Sequence, residues 1–535
     1  MKNNFIKNKL IVYAEKKPYN VAIREIKNEK QKEITYLELM QRIKHNKEKL
    51  CNKENKIIVV YLSSTIESHI FLYSCFYYGI VPLIRTYNYD FFKKDKLVDD
   101  FNTICDHYTD VYKGYIVQEN NEFLVIEELE NPKYNVTCDL SNIAFIQMTS
   151  GTTGFPKAIK SSYKSLNNNL IKCQEYWNLN TTSKILSWLP ISHNFGFITS
   201  ILLPIFTGTE NIIISPKYFY QNPVQLLSLF SIYKITHTFL PNFALDYIRI
   251  NIKDGKNLNL DLSNLKVIGI GGDFITKIVI DNFYKTLKEY GLNYKAFKAV
   301  YGMSENSGPI TMTQDNEKID FYNIKENKCI CPNEYKIPHT DINITDVGKI
   351  YKNDSIIIEF NDELINKELY IGEIIISTNS LFDGYLYDKI IDKNQNNLTL
   401  INGKRYYKTG DIGFTYNSHL YILGRKKDII VIRGKNFSSN IIEEVISKAL
   451  SIQNISIVVL SVNNDEELYV LIETSDFIFS EEQAIIKTKI IETLKDKFDF
   501  GIKEANIIII RYSLPRTNTN KINRQECKKL IIEGV

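Results

Sequence analysis

The residues best suited to chemistry lie at positions 145–160, FIQMTSGTTGFPKAIK. The apolar Phe145, Ile146 and Met148 predict a buried strand. That strand runs into Thr149, Ser150, Gly151, Thr152, Thr153 and Gly154, and Pro156 and Lys157 close the stretch. Glycines let a backbone turn tightly and bring its N–H groups against a polyanion. The hydroxyls add donors and Lys157 adds a positive charge, a combination suited to holding phosphate. It is not a Walker loop, because no Gly-Lys-Ser/Thr stands at the required spacing. The alternative reading of the same composition is a polar turn between two strands.

Four more places carry reactive or ligand-facing groups. In AVYGMSENSG, residues 299–308, Tyr301 offers an aromatic face for a base, followed by Gly302 and Met303. Ser304 offers a hydroxyl for a phosphate, and Glu305 a hard carboxylate for Mg²⁺. In YKTGDIGF, residues 407–414, a tight turn presents Asp411, whose carboxylate could accept from two vicinal ribose hydroxyls. In LSWLPISHNFGF, residues 186–197, a strand delivers His193 to a loop that bends at Pro190 and Gly196. Locally, a satisfied structural histidine and a ligand-facing one fit equally well. In VIGIGGD, residues 267–273, a strand ends at Gly271 and Gly272 before Asp273. Such an end either brings backbone against a flat ring or is an ordinary strand-to-helix turn.

The elements that must position these groups read as α/β. A strand at 57–62, IIVVYL, is followed by helical spacing over 67–78, a stop at Gly79 and a second apolar strand from Ile80. That is the grammar of a parallel sheet covered by helices. Helical spacing returns at 166–176, and an apolar strand over 236–245 breaks at Pro241-Asn242. Residues 315–347 read as polar and irregular, with Cys329 and Cys331 inside them. A β-rich region begins at Gly372. Strands at 455–460, 467–472 and 505–511 and a helix at 481–498 make a small α+β domain.

The 535 residues are 44% apolar, too many for one compact domain. Sixty-six basic against 62 acidic side chains leave a net charge of +4, so no electrostatic case exists for nucleic acid. The eight cysteines are scattered, and one C-x-C pair is weak ground for zinc; free, mostly buried thiols in a reducing cytosol are expected. The apolar run from Leu10 to Ala14 is too short for a signal peptide or a membrane span, and no stretch reaches about 18 apolar residues. A cytoplasmic protein without a membrane span is expected.

The order TSGTTG-x-PK resembles the phosphate loop of the acyl-adenylate-forming enzymes, which include acyl-CoA synthetases, peptide-synthetase adenylation domains and luciferases. The resemblance runs from about Ile34 to Arg524. It implies a large N-terminal adenylation domain over 1–426, with parallel-rich sheets and a β-rich subdomain. A small mobile α+β lid would follow over 428–535, with Lys427 as the hinge. It implies ATP and Mg²⁺ as cofactors and a role for each matching residue. Thr149 to Gly154 and Lys157 would hold phosphates, and Gly271, Gly272, Asp273, Gly302 and Met303 would line the nucleotide. Tyr301 would stack on adenine, Ser304 would meet the α-phosphate and Glu305 would bind the metal. Asp411 and Arg425 would meet the ribose. His193 would lie beside the reacting carboxylate. Lys521, in LPRT-x-x-x-K, would be the catalytic lysine, with Asn520 where the family usually has glycine.

Details resemble one branch, the fatty acyl-AMP ligases: SWLPxxHxxG at 187–196, PNFA at 241–244, RGxN at 433–436 and Lys427. The long spacing from Glu305 to Gly348 resembles that branch's insertion, which implies transfer to a carrier-protein thiol in place of CoA. A fatty acid substrate and a separate phosphopantetheinylated carrier protein are therefore expected, the stretch after Arg524 being too short for a carrier domain. An acyl- or aryl-CoA synthetase is the alternative, and a catalytically inactive adenylate-binding homologue a further one. The chain departs from the branch at Asn194, Met303 and Asp273, where Asp, Leu or Ala, and Glu are usual. No Asp stands where amino-acid-activating domains hold the α-ammonium, which argues against an amino acid.

Overall fold

The computed structural model describes residues 4–27, 30–86, 94–120, 123–135, 139–148, 156–252, 258–323, 342–360, 363–365, 367–386, 397–432, 435–450, 452, 455–462, 467–474, 479–511, 514–516 and 522–533. The chain is α/β and forms two compact units. The first comprises residues 1–272, 282–318 and 378–396, and the second residues 273–281, 319–377 and 397–535.

The first unit opens with an antiparallel pair, β1 (Val21–Lys27) and β2 (Lys30–Thr35). A six-stranded sheet follows from β3 (Ile57–Leu62), β4 (Val81–Thr86), β5 (Val111–Asn120), β6 (Phe123–Glu130), β7 (Ile143–Met148) and β8 (Ala158–Ser162), ordered β6-β5-β3-β4-β7-β8. Its four inner strands are parallel, and β6 and β8 close the edges antiparallel. Every residue of β3 is buried, as a parallel strand covered on both faces requires. The helix Ile66–Tyr77 begins where the Thr65 side chain accepts from the Ser68 N–H, and it ends at Gly79, whose φ of +68° matches the expected stop. Around β3, Val59, Leu83, Phe101, Ile116 and Ile146 form one apolar core.

A second sheet joins β1 and β2 to β9 (Lys184–Ser187), β10 (Glu210–Ile214), β11 (His237–Leu240), β12 (Val267–Gly271), β13 (Phe297–Met303) and β14 (Gly308–Met312). Its strands run parallel from β1 through β13, and β14 returns antiparallel. The sequence reads one apolar strand over 236–245; the structure ends it at Leu240. Pro241 then N-caps the helix Asn242–Ile250, because proline lacks a ladder N–H but sits readily at a helix start. Lys298 is fully buried within β13, its ammonium held by the carbonyls of Gln314 and Asp315 at 2.6 and 2.7 Å and of Glu317. Burial pulls its pKa down to about 8.

In the second unit, β15 (Phe321–Asn323) pairs antiparallel with β16 (Asn343–Ile350). The stretch 315–347 is thus ordered at both ends, contrary to the irregular reading, because Tyr322 and Ile344 bury apolar surface there; Cys329 and Cys331 lie outside the described residues. The strands β17 (Ser355–Phe360), β18 (Glu363–Ile365), β19 (Gly372–Ser377), β20 (Leu398–Ile401), β21 (Lys404–Tyr416) and β22 (His419–Arg425) form an antiparallel sheet with β16. A hairpin of β23 (Ile429–Ile432) and β24 (Lys435–Ser438) leads into the helix Ser439–Leu450. The three strands β25 (Ile455–Val462), β26 (Glu467–Thr474) and β27 (Ile507–Ile510) and the helix Ser480–Phe498 complete the expected α+β region. Among the described residues, no helix is long and apolar enough to cross a membrane, and the described cysteines are free thiols.

Two buried histidines make the first unit sensitive to acid. The His69 Nδ1–H donates to the Thr65 carbonyl at 2.7 Å, and the His237 Nε2–H donates to the Trp177 carbonyl at 2.9 Å. Burial pushes both rings down to about 4. Between that value and the ordinary 6.5 the unfolded chain binds protons that the folded chain refuses. Their stabilising effect is complete above pH 6.5 and is lost as pH falls toward 4. Urea-unfolding midpoints should therefore drop across this window, by on the order of 3 kcal/mol per histidine. His69→Asn and His237→Gln should each flatten the slope.

Candidate nucleotide and acyl site

The first unit assembles its candidate groups where β7, β8 and β13 end. Gln147 pairs with Ile159 and Met148 with Ala158, so the ladder ties down both sides of the phosphate-type loop. Thr149, Ser150, Gly151, Thr152, Thr153 and Gly154 lie outside the described residues. Lys157 is described and half-buried, its Nζ 5.1 Å from the ring centroid of Tyr385. Tyr385 belongs to a segment running alongside β8: the Asp383 N–H donates to the Lys160 carbonyl, the Lys160 N–H to the Gly384 carbonyl, and the Leu386 N–H to the Ala158 carbonyl, at 2.8–3.0 Å.

Past β13 the chain makes a tightly held turn. Tyr301, Met303, Ser304 and Glu305 are half-buried, and Gly302 is exposed. A Cβ on Gly302 would stand 2.6 Å from the Gly308 carbonyl oxygen, so β14 approaches only because residue 302 is glycine. A single helical turn, Ser304–Asn306, ends at Ser307, which adopts φ +52°, an uncommon angle for a residue with a side chain. Buried partners hold it there. The Ser307 hydroxyl meets those of Ser161 and Ser165 at 3.2 Å, and the Asn306 amide donates to the Pro309 carbonyl at 2.8 Å. The Phe382 N–H donates to the Glu305 carbonyl at 2.8 Å, and the Tyr385 hydroxyl lies 3.4 Å from Glu305 Oε1.

Gln147 links this turn to the His193 loop. Its buried amide donates to the Ser192 carbonyl at 2.8 Å, and its Oε1 lies 3.4 Å from the Ser304 hydroxyl. His193 N-caps the helical turn Asn194–Gly196: its Nδ1 accepts from the Phe195 N–H at 3.3 Å, which leaves the ring proton on Nε2. The expected bend at Gly196 is not one. Gly196 is helical, and its lack of Cβ serves contact, since a Cβ would stand 2.3 Å from the Pro190 carbonyl oxygen. Gly271 is required similarly by the Val300 carbonyl oxygen, 2.5 Å from a built Cβ, whereas Gly272, with φ +79°, makes the turn.

In the second unit, Asp411 is buried within β21 and not in a tight turn as its glycines suggested. Gly410, with φ +73°, and a register shift at Ile412/Gly413 bend the strand without ending it. Asp411 faces Arg425 across the β21–β22 ladder, with Arg425 Nε 2.9 Å from Asp411 Oδ1. Glu373 braces both sides, accepting from the Gly410 N–H at 3.2 Å and the Lys426 ammonium at 2.7 Å. Lys427 lies exposed in the turn Lys426–Asp428, and Asp273 is exposed, its Oδ1 accepting from the Phe274 N–H. Lys521 lies outside the described residues, but the flanks of its loop are tied: the Asn523 N–H donates to the Pro515 carbonyl, and Arg516 bridges to Ile522. Arg524 then donates to Glu443, Asn440 and the Val459 carbonyl at 2.8–3.1 Å.

Sequence reasoning overlooked Gln147, Tyr385, Glu373 and Arg524. Only Gln147 carried a local signal, a polar residue inside an apolar strand.

A sequence profile described as AMP-binding enzyme matches residues 93–386. The chain is similar to a medium-chain-fatty-acid–[acyl-carrier-protein] ligase of Moorena producens, 24% identical over 466 residues that make up 83% of this chain and 76% of the relative. It is similar also to a long-chain-fatty-acid–AMP ligase of Mycobacterium tuberculosis, 24% identical over 426 residues, 75% of this chain and 72% of the relative. Among solved structures, one from a study of fatty acyl-adenylate ligases of E. coli and L. pneumophila superposes with a TM-score of 0.82 at 20% identity, covering 99% of this chain and 98% of that one. A fatty acid AMP ligase of Legionella pneumophila superposes with a TM-score of 0.70 at 23% identity, covering 99% and 96%. These two likenesses establish the fold.

Replacing Gln147 by leucine removes the donor to the buried Ser192 carbonyl. The variant should lose about 1–3 kcal/mol in urea unfolding. Amide exchange should rise at residues 190–197 while it stays unchanged in β3.

Proposed function

The chain belongs to the family of AMP-binding enzymes, and from that premise we propose that it activates a fatty acid as an acyl-adenylate and passes the acyl group to the phosphopantetheine thiol of a carrier protein. The observation that carries the reading is the juxtaposition of Lys157 and Glu305, an ammonium and a carboxylate both placed against Tyr385 at the end of the phosphate-type loop. The named relatives favour a fatty acid and a carrier protein.

In the proposed first half-reaction the substrate carboxylate attacks the α-phosphorus of ATP and pyrophosphate leaves. A carboxylate is a weak nucleophile, so positioning and charge neutralisation supply most of the rate. Lys157 and residues 149–154 hold the β- and γ-phosphates, and Ser304 meets the α-phosphate. Tyr301 stacks on the adenine, beside Gly271, Gly272, Asp273, Gly302 and Met303. Asp411 and Arg425 take the ribose hydroxyls. His193, its Nδ1 engaged by its own helical turn, presents an Nε2–H toward the acid. Lys521 neutralises charge that shifts between acyl and phosphate oxygens.

Among the described residues, no three His, Cys, Asp or Glu side chains converge as a metal cage. A lone carboxylate beside a phosphate-binding lysine fits Mg²⁺, which takes one or two protein carboxylates and completes its shell with phosphate oxygens and water. Glu305 would hold that ion, whose charge would lower the repulsion between triphosphate and carboxylate. In the second half-reaction, with Lys427 as the hinge for the change of pose, the thiol attacks the acyl carbonyl and AMP leaves.

The test is incubation with MgATP and a panel of fatty, aryl and amino acids, with acyl-adenylates read by mass spectrometry. Holo carrier protein and CoA are then compared as acceptors. A fatty acyl-adenylate that loads the carrier is the expected result; an aryl or amino acyl-adenylate, or loading of CoA alone, would overturn the reading. Lys521→Ala should lower adenylation by about 10²–10³-fold, with circular dichroism and melting midpoint unchanged.

A further inference from the structure

Tyr385 is separated from both motifs it touches, by 80 residues in the case of Glu305. Its backbone is fixed from two directions. It forms a bridge with Ile159, two residues beyond Lys157, and the nearby Phe382 N–H binds the Glu305 carbonyl at 2.8 Å. The ring is braced edge to face by Phe382, with centroids 5.0 Å apart at 67°. A short, twice-anchored segment thus presents one rigid side chain to the phosphate-type lysine and to the acidic turn.

We propose that Tyr385 is a positioning residue for nucleotide binding, its ring face seating the Lys157 ammonium and its hydroxyl orienting the Glu305 carboxylate. The inference rests on the reading that Lys157 holds phosphate and Glu305 holds the cation. At 5.1 Å the ammonium is within range of the attraction between a cation and an aromatic face. A lysine has four rotatable bonds, and a face that holds its tip removes much of that freedom before a phosphate arrives. At 3.4 Å the phenol is at the long end of an O–H···O contact, so it selects an orientation of the carboxylate without competing strongly for its lone pairs. Partners that orient a metal-binding group typically change metal affinity by about 10–100-fold when removed. Tyrosine is suited to both tasks, because the apolar face and the hydroxyl move as one body.

The two tasks separate by substitution in the full-length protein. Tyr385→Phe keeps the face and removes the hydroxyl, and Tyr385→Leu removes both. Binding of a non-hydrolysable ATP analogue is measured by calorimetry across Mg²⁺ concentrations, alongside the melting midpoint of each variant. For Tyr385→Phe, affinity at saturating Mg²⁺ should stay within about 3-fold of the parent, while the Mg²⁺ concentration for half-maximal affinity rises about 10-fold. For Tyr385→Leu, affinity should fall about 10-fold even at saturating Mg²⁺, which phenylalanine but not leucine rescues. Parent-like affinity and Mg²⁺ dependence in both variants would overturn the proposal. So would equal weakening of both together with a lowered melting midpoint, the mark of a purely structural residue. A parent protein that binds no analogue would overturn the nucleotide reading, and this inference with it.

Discussion

A buried amide that cannot reach water must find its partners within the protein, and Gln147 finds them in two segments remote from its own strand. One end meets the carbonyl of Ser192, next to His193, and the other meets the hydroxyl of Ser304, next to Glu305. Leaving either partner unmet would cost on the order of 1–3 kcal/mol, so the three segments hold one another in register. The strand that carries Gln147 is also the one that enters the phosphate-type loop. One polar side chain in an apolar strand therefore couples the positions of the candidate phosphate, acid and cation groups.

The same economy governs the turn around Glu305. Ser307 takes a left-handed angle that a serine adopts at some cost. The turn persists because its polar atoms are satisfied on all sides, by Ser161, Ser165, Asn169 and the carbonyl of Pro309. Beneath it, Lys298 fills the interior with a charged group and satisfies it on three carbonyls of the chain that leaves β14. Packing alone would not specify that path. Directional bonds to a buried ammonium do, and they fix the base of the strand that ends at Tyr301.

In the second unit charged pairs do comparable work. Arg425 and Asp411 are cross-strand neighbours, and Glu373 ties the backbone before Asp411 to the lysine after Arg425. Arg516 on Glu473 and Arg524 on Glu443 stand on either side of the loop that contains Lys521. With both flanks held on buried or half-buried acids, the conformational freedom of the intervening residues is reduced before any ligand binds.

Local composition determined the elements and the identity of most candidate groups. The unbroken apolar run of β3, the Gly79 stop and the hydroxyl-glycine stretch after Met148 each depend on neighbours a few residues away, and a sequence displays those directly. Tertiary structure alone decided what the glycines and the lone acids do. Gly196 and Gly302 looked like bends and prove to be places where another backbone comes too close for a Cβ. Asp411 looked like a turn residue and lies in a long strand, because its partner ladder is built from residues distant in the chain. Tyr385 and Arg524 acquire their partners only when segments 80 or so residues apart are folded together. Periodicity and turn chemistry are short-range signals that survive in one dimension, whereas a hydrogen bond between remote side chains leaves no mark on the sequence around either of them.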